Sequence, residues 1–187
     1  MKPDKAAIFV KNMTGPLSYA KRSVWVRQQH KNDATSLKNF FAKLSERTLY
    51  SRFMIPLPTV PPSILERLCN VDQDRHVGFV ALSHPHAVIG EARYIRDANH
   101  PTSAEFSVTL AEEWRGVGLA LSLMNELTHH AQEHSVDTLW ADVLGDNTQM
   151  LRLARTLGFT VCRHPEDPCC RRISKCLVQT EDMKKAA

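Results

Sequence analysis

No apolar run in the 187 residues approaches the roughly 18 needed for a membrane-crossing helix, so no membrane partner is expected. The stretch from Met1 to Phe9 carries lysines but lacks the roughly 7–15-residue apolar core of a secretory signal. A cytoplasmic protein is the expectation. Zinc-type C-x-x-C pairs are also missing. The five cysteines, Cys69, Cys162, Cys169, Cys170 and Cys176, are odd in number, which argues for free thiols. Adjacent cysteines such as Cys169 and Cys170 are poorly placed to ligate one structural metal, and no metal is expected. An excess of one charge sign is lacking. Twenty-four basic against twenty acidic residues leave a net charge of +4 and a pI near 8.9. That is too weak and too scattered for a nucleic-acid partner, although it suits a polyanionic small ligand. There is no internal repeat, linker or low-complexity run. With 43% hydrophobic and 24% charged residues, the chain reads as one soluble globular domain.

The chain is organised around residues 104–131. Ala104, Phe106, Val108 and Leu110 alternate with Glu105, Ser107 and Thr109, the period of a strand with one buried face. Ala120, Leu123, Met124, Leu127 and Ala131 follow with the period of an amphipathic helix. Between them, Gly116 and Gly118 leave the backbone uncovered where the helix begins. Free N–H groups and a partial positive charge gather at such an end, and phosphate oxygens can approach them. A dinucleotide turn would need G-x-G-x-x-G followed by an acid closing a second strand. Here the sixth position is Leu121, and Asp137 precedes a strand. A Walker loop, G-x-x-x-x-G-K-S/T, is absent. The alternative is a plain glycine-containing turn.

Along the chain, Val24–Gln28 reads as a strand, and the segment from Asp33 to Leu44 as a helix with Leu37, Phe40, Phe41 and Leu44 on one face. Leu44–Phe53 reads as a helix end placing Leu49, Tyr50 and Phe53 in the core, with Arg47 and Arg52 either surface or site. Four prolines between Pro56 and Pro62 make a loop. Pro62 then suits the first turn of a short helix. Val77–Leu82 and Ala87–Arg96 form a hairpin through Ser83–His86, and Gly90 marks a bulge or a close approach. After the long helix, Thr138–Leu144 is a strand lying parallel to the Ala104 strand. Asn147–Leu157 is a helix stopped by Gly158. Phe159–Arg163 and Arg171–Val178 are the last strands. Residues 1–22 are an arm or an extra strand, 23–179 the domain, and 180–187 a polar tail. His129, His130 and His134 lack an H-E-x-x-H pattern and read as a solvated helix face.

Arg115, Gly118 and Ala120 spell R-x-x-G-x-A. This resembles the pyrophosphate loop of the GNAT superfamily of N-acyltransferases, and Asn147 through Met150 to Leu157-Gly158-Phe159 resembles that family's second motif. The element order is similar over roughly residues 24 to 178. Residues 44–53 and the Ala104-Glu105-Phe106 segment resemble the GNAT domain of Pat-type bacterial protein lysine acetyltransferases. The resemblance implies an α+β GNAT fold with a mixed, mostly antiparallel sheet flanked by helices. It implies acetyl-CoA as co-substrate and an amine acceptor, a protein lysine or a small molecule, attacked directly in a ternary complex.

Arg115 and the N–H groups of Gly116, Val117, Gly118, Leu119 and Ala120 would then hold the pyrophosphate. N–H groups near Val108 to Leu110 would face the thioester oxygen. Asn147 would bond near the pantetheine arm, or would simply cap its helix. Glu105 matches the Pat-type general base. It could instead be a strand glutamate paired with a neighbour such as Arg93. Many members carry a tyrosine general acid four residues before the glycine of the Gly-Phe pair; here that position is Ala154, so water protonates the thiolate, or another group does, or it leaves unprotonated. A non-catalytic acyl-CoA-binding module is the alternative, and a nucleotide-binding protein of another fold is a third reading. The sequence leaves a homodimer open.

Overall fold

The computed structural model describes residues 8–9, 24–83 and 87–178. Most of the expected arm, the tip of the Ser83–His86 hairpin and the polar tail lie outside the described residues.

Eight strands form one sheet: β1 (Ile8–Phe9), β2 (Val24–Gln28), β3 (His76–Ser83), β4 (Ala87–Arg96), β5 (Ser103–Leu110), β6 (Thr138–Leu144), β7 (Thr160–Arg163) and β8 (Cys170–Cys176). Their order is β1-β2-β3-β4-β5-β6-β8-β7. Every pairing is antiparallel except β5 with β6. A parallel pair needs a crossover, and helix α4 (Leu119–Glu133) provides it. Helices α1 (Ala34–Phe41), α2 (Glu46–Phe53) and α3 (Pro62–Cys69) precede β3, and α5 (Thr148–Thr156) lies between β6 and β7.

Register fixes the two faces of the sheet. Glu91 lies opposite Thr109, Arg93 opposite Ser107 and Ile95 opposite Glu105, so these six side chains share one face. The α2 and α3 side is that face: Arg52 reaches Glu91, and Arg93 reaches the Leu68 carbonyl. On the other face α4 packs on β3 and β4, where His130 meets Phe79 and Tyr94. Gly90 belongs there. A Cβ at Gly90 would stand 2.4 Å from Leu110 Cδ2, and the β3–β4 register shifts beside it. The bulge and the close approach are therefore both present.

Four expectations need correction. Leu44–Phe53 is not the end of the preceding helix. Ser45 caps a separate α2 by accepting the Thr48 N–H at 3.3 Å, and Met54 ends it in the left-handed conformation. Of its aromatics, Tyr50 is 41% exposed, because one helical position turns it away from buried Leu49. On β5 the alternation breaks: Val108 is only half-buried while Thr109 is buried. Val108 borders a cleft, and Thr109 lies under α2. On α4 the deep residue of the first turn is Leu119, fully buried, and Ala120 is only partly covered. Finally, His130 does not lie on a solvated face. It is buried, donates to or accepts from the Tyr94 hydroxyl at 3.1 Å, and stacks on His134 with ring centroids 3.9 Å apart.

Candidate active site

β5 and β6 pair only at Ser103–Thr138, Ala104–Leu139 and Glu105–Trp140. Beyond these the strands part, and a cleft of about 1170 Å³ opens between them. Residues Glu105 to Leu110 form one wall and Ala141 to Val143 the other. The start of α4, α2 and the start of α5 close it.

The backbone of β5 leaves donors along this opening. The Ala111 N–H bonds to the Ile89 carbonyl of β4. Strand N–H groups alternate in direction, so those of Leu110 and Val108 point away from β4, into the cleft. At the cleft's far end, Gly116 and Gly118 take left-handed φ values of 75° and 85°. Gly118 is the N-cap of α4 and offers no capping side chain. Among the described residues, no N–H from Gly116 to Leu121 has a hydrogen-bond acceptor. Donors without partners beside open space favour an anion.

Not every expected residue faces that space. Gly116, Gly118, Leu119 and Ala120 line the cleft. Val117 does not, and its side chain is 37% exposed. Arg115 lines the cleft, but its Nη2 donates to Thr48 Oγ1 at 2.7 Å and to the Leu110 carbonyl at 3.2 Å. Glu112 completes this clamp. Its Oε1 accepts the Ser45 N–H at 3.1 Å, the Ser45 hydroxyl at 2.8 Å and the Thr48 hydroxyl at 2.6 Å. Partial burial would raise its carboxyl, but these bonds hold it down at about 2. The network ties the phosphate-side loop to the first turn of α2, leaving Arg115 Nε and Nη1 for a ligand. Sequence reasoning missed Ser45, Thr48 and Glu112. The signal for two of them was the capping pattern of a serine three residues before a threonine.

Asn147 caps α5, its Oδ1 accepting the Met150 N–H at 3.1 Å, and it also lines the cleft. Both readings of this residue thus have a geometric basis. Ala154 is fully buried.

Glu105 stands where the strands part, with its side chain exposed to the cleft. Partial burial raises its carboxyl above the usual glutamate value, against the pull of the Arg52 guanidinium and with a push from Asp142. It is not paired with Arg93. Arg93 is buried and donates to Glu91 at 2.6 Å, two register positions further along β4. On β6, Asp142 is held by Arg172 and by His164, 3.2 Å away, and the Arg172 guanidinium lies 4.4 Å from the Trp140 ring centroid. Among the described residues no cluster of three or more potential metal ligands occurs.

The model of the acetyltransferase (GNAT) family matches residues 41–159. An acetyltransferase of Pseudomonas aeruginosa is 28% identical over 148 residues, which is 78% of this chain and 80% of that protein. Acetyltransferase Pat of Mycolicibacterium smegmatis is 33% identical over 118 residues, 62% of this chain but only 35% of Pat. The chain thus matches about a third of that longer protein. Among solved structures, the GNAT domain of S. lividans PAT superposes with a TM-score of 0.81 at 22% identity, covering 94% of this chain and 99% of that domain. A GNAT superfamily phosphinothricin acetyltransferase from Sinorhizobium meliloti, solved in complex with acetyl-CoA, superposes with a TM-score of 0.67 at 21% identity, covering 82% and 88% of the two chains. At these identities the structures show the fold.

Proposed function

Since the chain belongs to the acetyltransferase (GNAT) family, we propose that it is an N-acetyltransferase moving the acetyl group of acetyl-CoA to a primary amine by direct attack in a ternary complex. The observation that carries this reading is the parting of β5 and β6 immediately after Glu105. The opening runs from a carboxylate at one end to the unpartnered N–H groups of Gly116 to Leu121 at the other. A thioester with a long arm and a pyrophosphate fits such a groove.

In this reading the loop N–H groups and the free edge of Arg115 hold the pyrophosphate. The Val108 and Leu110 N–H groups lie along the arm, where they stabilise the thioester oxygen as it gains charge. Asn147 Nδ2 binds the arm while Oδ1 keeps the cap. Glu105 takes the proton of the attacking amine, directly or through water, because a lysine-type amine with a pKa near 10.4 is charged at neutral pH. Ala154 brings no acid to the leaving thiolate, so another group or water protonates it, or it departs as the anion.

The test is thermal stabilisation by acetyl-CoA beside CoA, NAD and ATP, followed by CoA release with an amine panel. A ligand at 100 times its Kd adds about 2.7 kcal/mol. Selective stabilisation by acetyl-CoA with amine-dependent CoA release is expected. Absence of a response to both CoA species would remove the reading. Stabilisation by acetyl-CoA without CoA release from any amine would favour a non-catalytic binding module, to which the loss of the tyrosine at Ala154 also points.

A further inference from the structure

Three arginines lining the cleft, Arg47, Arg52 and Arg152, are not used by acyl transfer as set out above. Arg47 and Arg152 are exposed, and Arg52 is the enclosed one. It lies on α2, on the Glu105 face of the sheet, and lines the cleft. We infer that Arg52, held in place by buried Glu91, recognises a carboxylate carried by the amine acceptor. The inference rests on the acetyltransferase reading and names the acceptor chemistry of that same site.

Glu91 is fully buried and faces two guanidinium groups, Arg93 Nε at 2.6 Å and Arg52 Nε at 3.1 Å. Arg93 is enclosed and committed. Its Nη1 meets the Leu68 carbonyl at 2.8 Å and His76 Nε2 at 2.9 Å, and its Nη2 donates to Gln29 Oε1 at 3.2 Å. Glu91 is therefore neutralised without Arg52. A second guanidinium is surplus to that carboxylate. Glu105 feels its charge without bonding to it, and a charge held in a partly dry site without a direct partner of its own costs free energy. The Arg52 side chain is 13% exposed, yet among the described residues only Nε has an acceptor. The guanidinium lies 5.0 Å from the Phe53 ring centroid, and its two terminal nitrogens form a planar fork without a hydrogen-bond acceptor among the described residues. A carboxylate matches that fork with two parallel bonds.

On the same face of the sheet a second group lacks a partner. Thr109 Oγ1 is buried and makes no hydrogen bond. Thr109 lies directly across from Glu91 in the β4–β5 register and lines the same cleft. Glu105 shares this face four residues away along β5, about 13 Å at the usual strand rise. Arg52 and Glu105 are not joined as an ion pair. One molecule can thus present its amine to Glu105 and its carboxylate to Arg52. That carboxylate belongs either to a free amino acid or to an acidic residue beside a lysine in a polypeptide.

The experiment measures kcat/KM at saturating acetyl-CoA for two matched pairs. One pair is free lysine against 1,5-diaminopentane, its analogue without the carboxylate. The other is a lysine peptide with a neighbouring Glu against the same peptide with Gln. Wild-type protein should prefer the carboxylate-bearing member of one pair by about 10- to 100-fold, chiefly through KM. The pair that shows the preference identifies the source. Arg52→Gln should erase that preference while keeping acetyl-CoA affinity, and Arg52→Lys, which keeps a charge on Glu91 but loses the fork, should keep only part of it. Turnover without a preference in either pair, or a preference that survives Arg52→Gln, overturns the inference and leaves acetyl transfer standing. No CoA release from any of the four amines, with release from other amines of the wider panel, overturns the inference alone; no release from any amine of that panel overturns both readings.

Discussion

Glu105 and Trp140 are the last registered pair between β5 and β6, so the carboxylate proposed as base stands where the two strands separate. Its neighbours on β5, Ala104 and Phe106, point to the opposite face of the sheet and are buried.

Glu105→Gln should lower turnover at neutral pH by about 100-fold or more while leaving acetyl-CoA affinity unchanged. Partial burial raises this carboxyl, and a base works only when ionised. Wild-type kcat/KM should therefore fall as pH drops through a value above the usual glutamate pKa, and the variant should lack that limb. A carboxyl raised on folding opposes stability once pH exceeds its unfolded value, so the variant should melt no lower than wild type at neutral pH. A variant with full activity would dismiss Glu105 as base.

Gly118→Ala tests the anion-binding turn. Gly118 has φ of 85°, and an added Cβ would meet nothing within 4 Å. The strain is then purely backbone, about 1–2 kcal/mol, or roughly 2–4 °C in melting temperature per kcal/mol. Gly158→Ala is the matched control, with φ of 79° and no close contact but at the end of α5, away from the cleft. Both variants should lose similar stability, and only Gly118→Ala should lose most of the stabilisation given by acetyl-CoA. Equal ligand responses would show that the turn does not hold the phosphates.

The turn was readable in the sequence because its demands are local: two glycines at left-handed φ, then a helical stripe. The parallel β5–β6 pair followed from one strand–helix–strand unit. The partner of Glu105 did not follow. Arg93 was a reasonable neighbour by strand pairing, but it lies opposite Ser107 and is claimed by Glu91. Nothing local distinguishes Glu91 from an exposed strand glutamate. Its burial depends on α2 arriving over β4, a contact between residues 39 positions apart. A longer separation, 64 to 67 positions, hides the clamp of Ser45, Thr48, Glu112 and Arg115. His130 was read with its neighbouring histidines as solvated, yet its spacing from Leu123 and Leu127 puts it on the buried stripe of the helix, where Tyr94 gives its ring a partner.

Glu91→Ala should be among the more destructive single changes, costing about 3–5 kcal/mol, because it strands buried Arg93. Urea unfolding at neutral pH measures it. Arg52→Gln should cost less than about 1 kcal/mol, since Glu91 keeps Arg93. Burial alone would raise the Glu91 carboxyl, but Arg93 and Arg52 overcome it and hold it low. A carboxyl lowered on folding adds stability above its unfolded pKa and loses it as pH falls through the folded value. The gap between wild type and Glu91→Ala should thus be full at neutral pH and shrink only in strong acid. A small gap at neutral pH would mean that Arg93 finds another partner.

His130 gives a stability change in milder acid. Burial, with His134 adding to it and Glu133 opposing, lowers its pKa to about 4. Arg96 and His129 also disfavour its proton. A histidine lowered on folding binds its proton more readily when unfolded, so stability falls as pH drops from about 6.5 toward 4, by at most about 3 kcal/mol. His76, lowered to about 4 by burial and by Arg93, acts in the same direction. His130→Phe keeps a ring against Phe79 and Tyr94 but removes the titrating group. It also leaves the Tyr94 hydroxyl without its bond, a cost of about 1–3 kcal/mol at pH 7. In urea unfolding from about pH 7.5 to 4.5, the variant should start lower than wild type and decline less steeply, with His76 supplying the remaining slope. Parallel curves would mean that His130 takes up its proton as readily in the folded protein as in the unfolded chain, with the Tyr94 oxygen then accepting the bond.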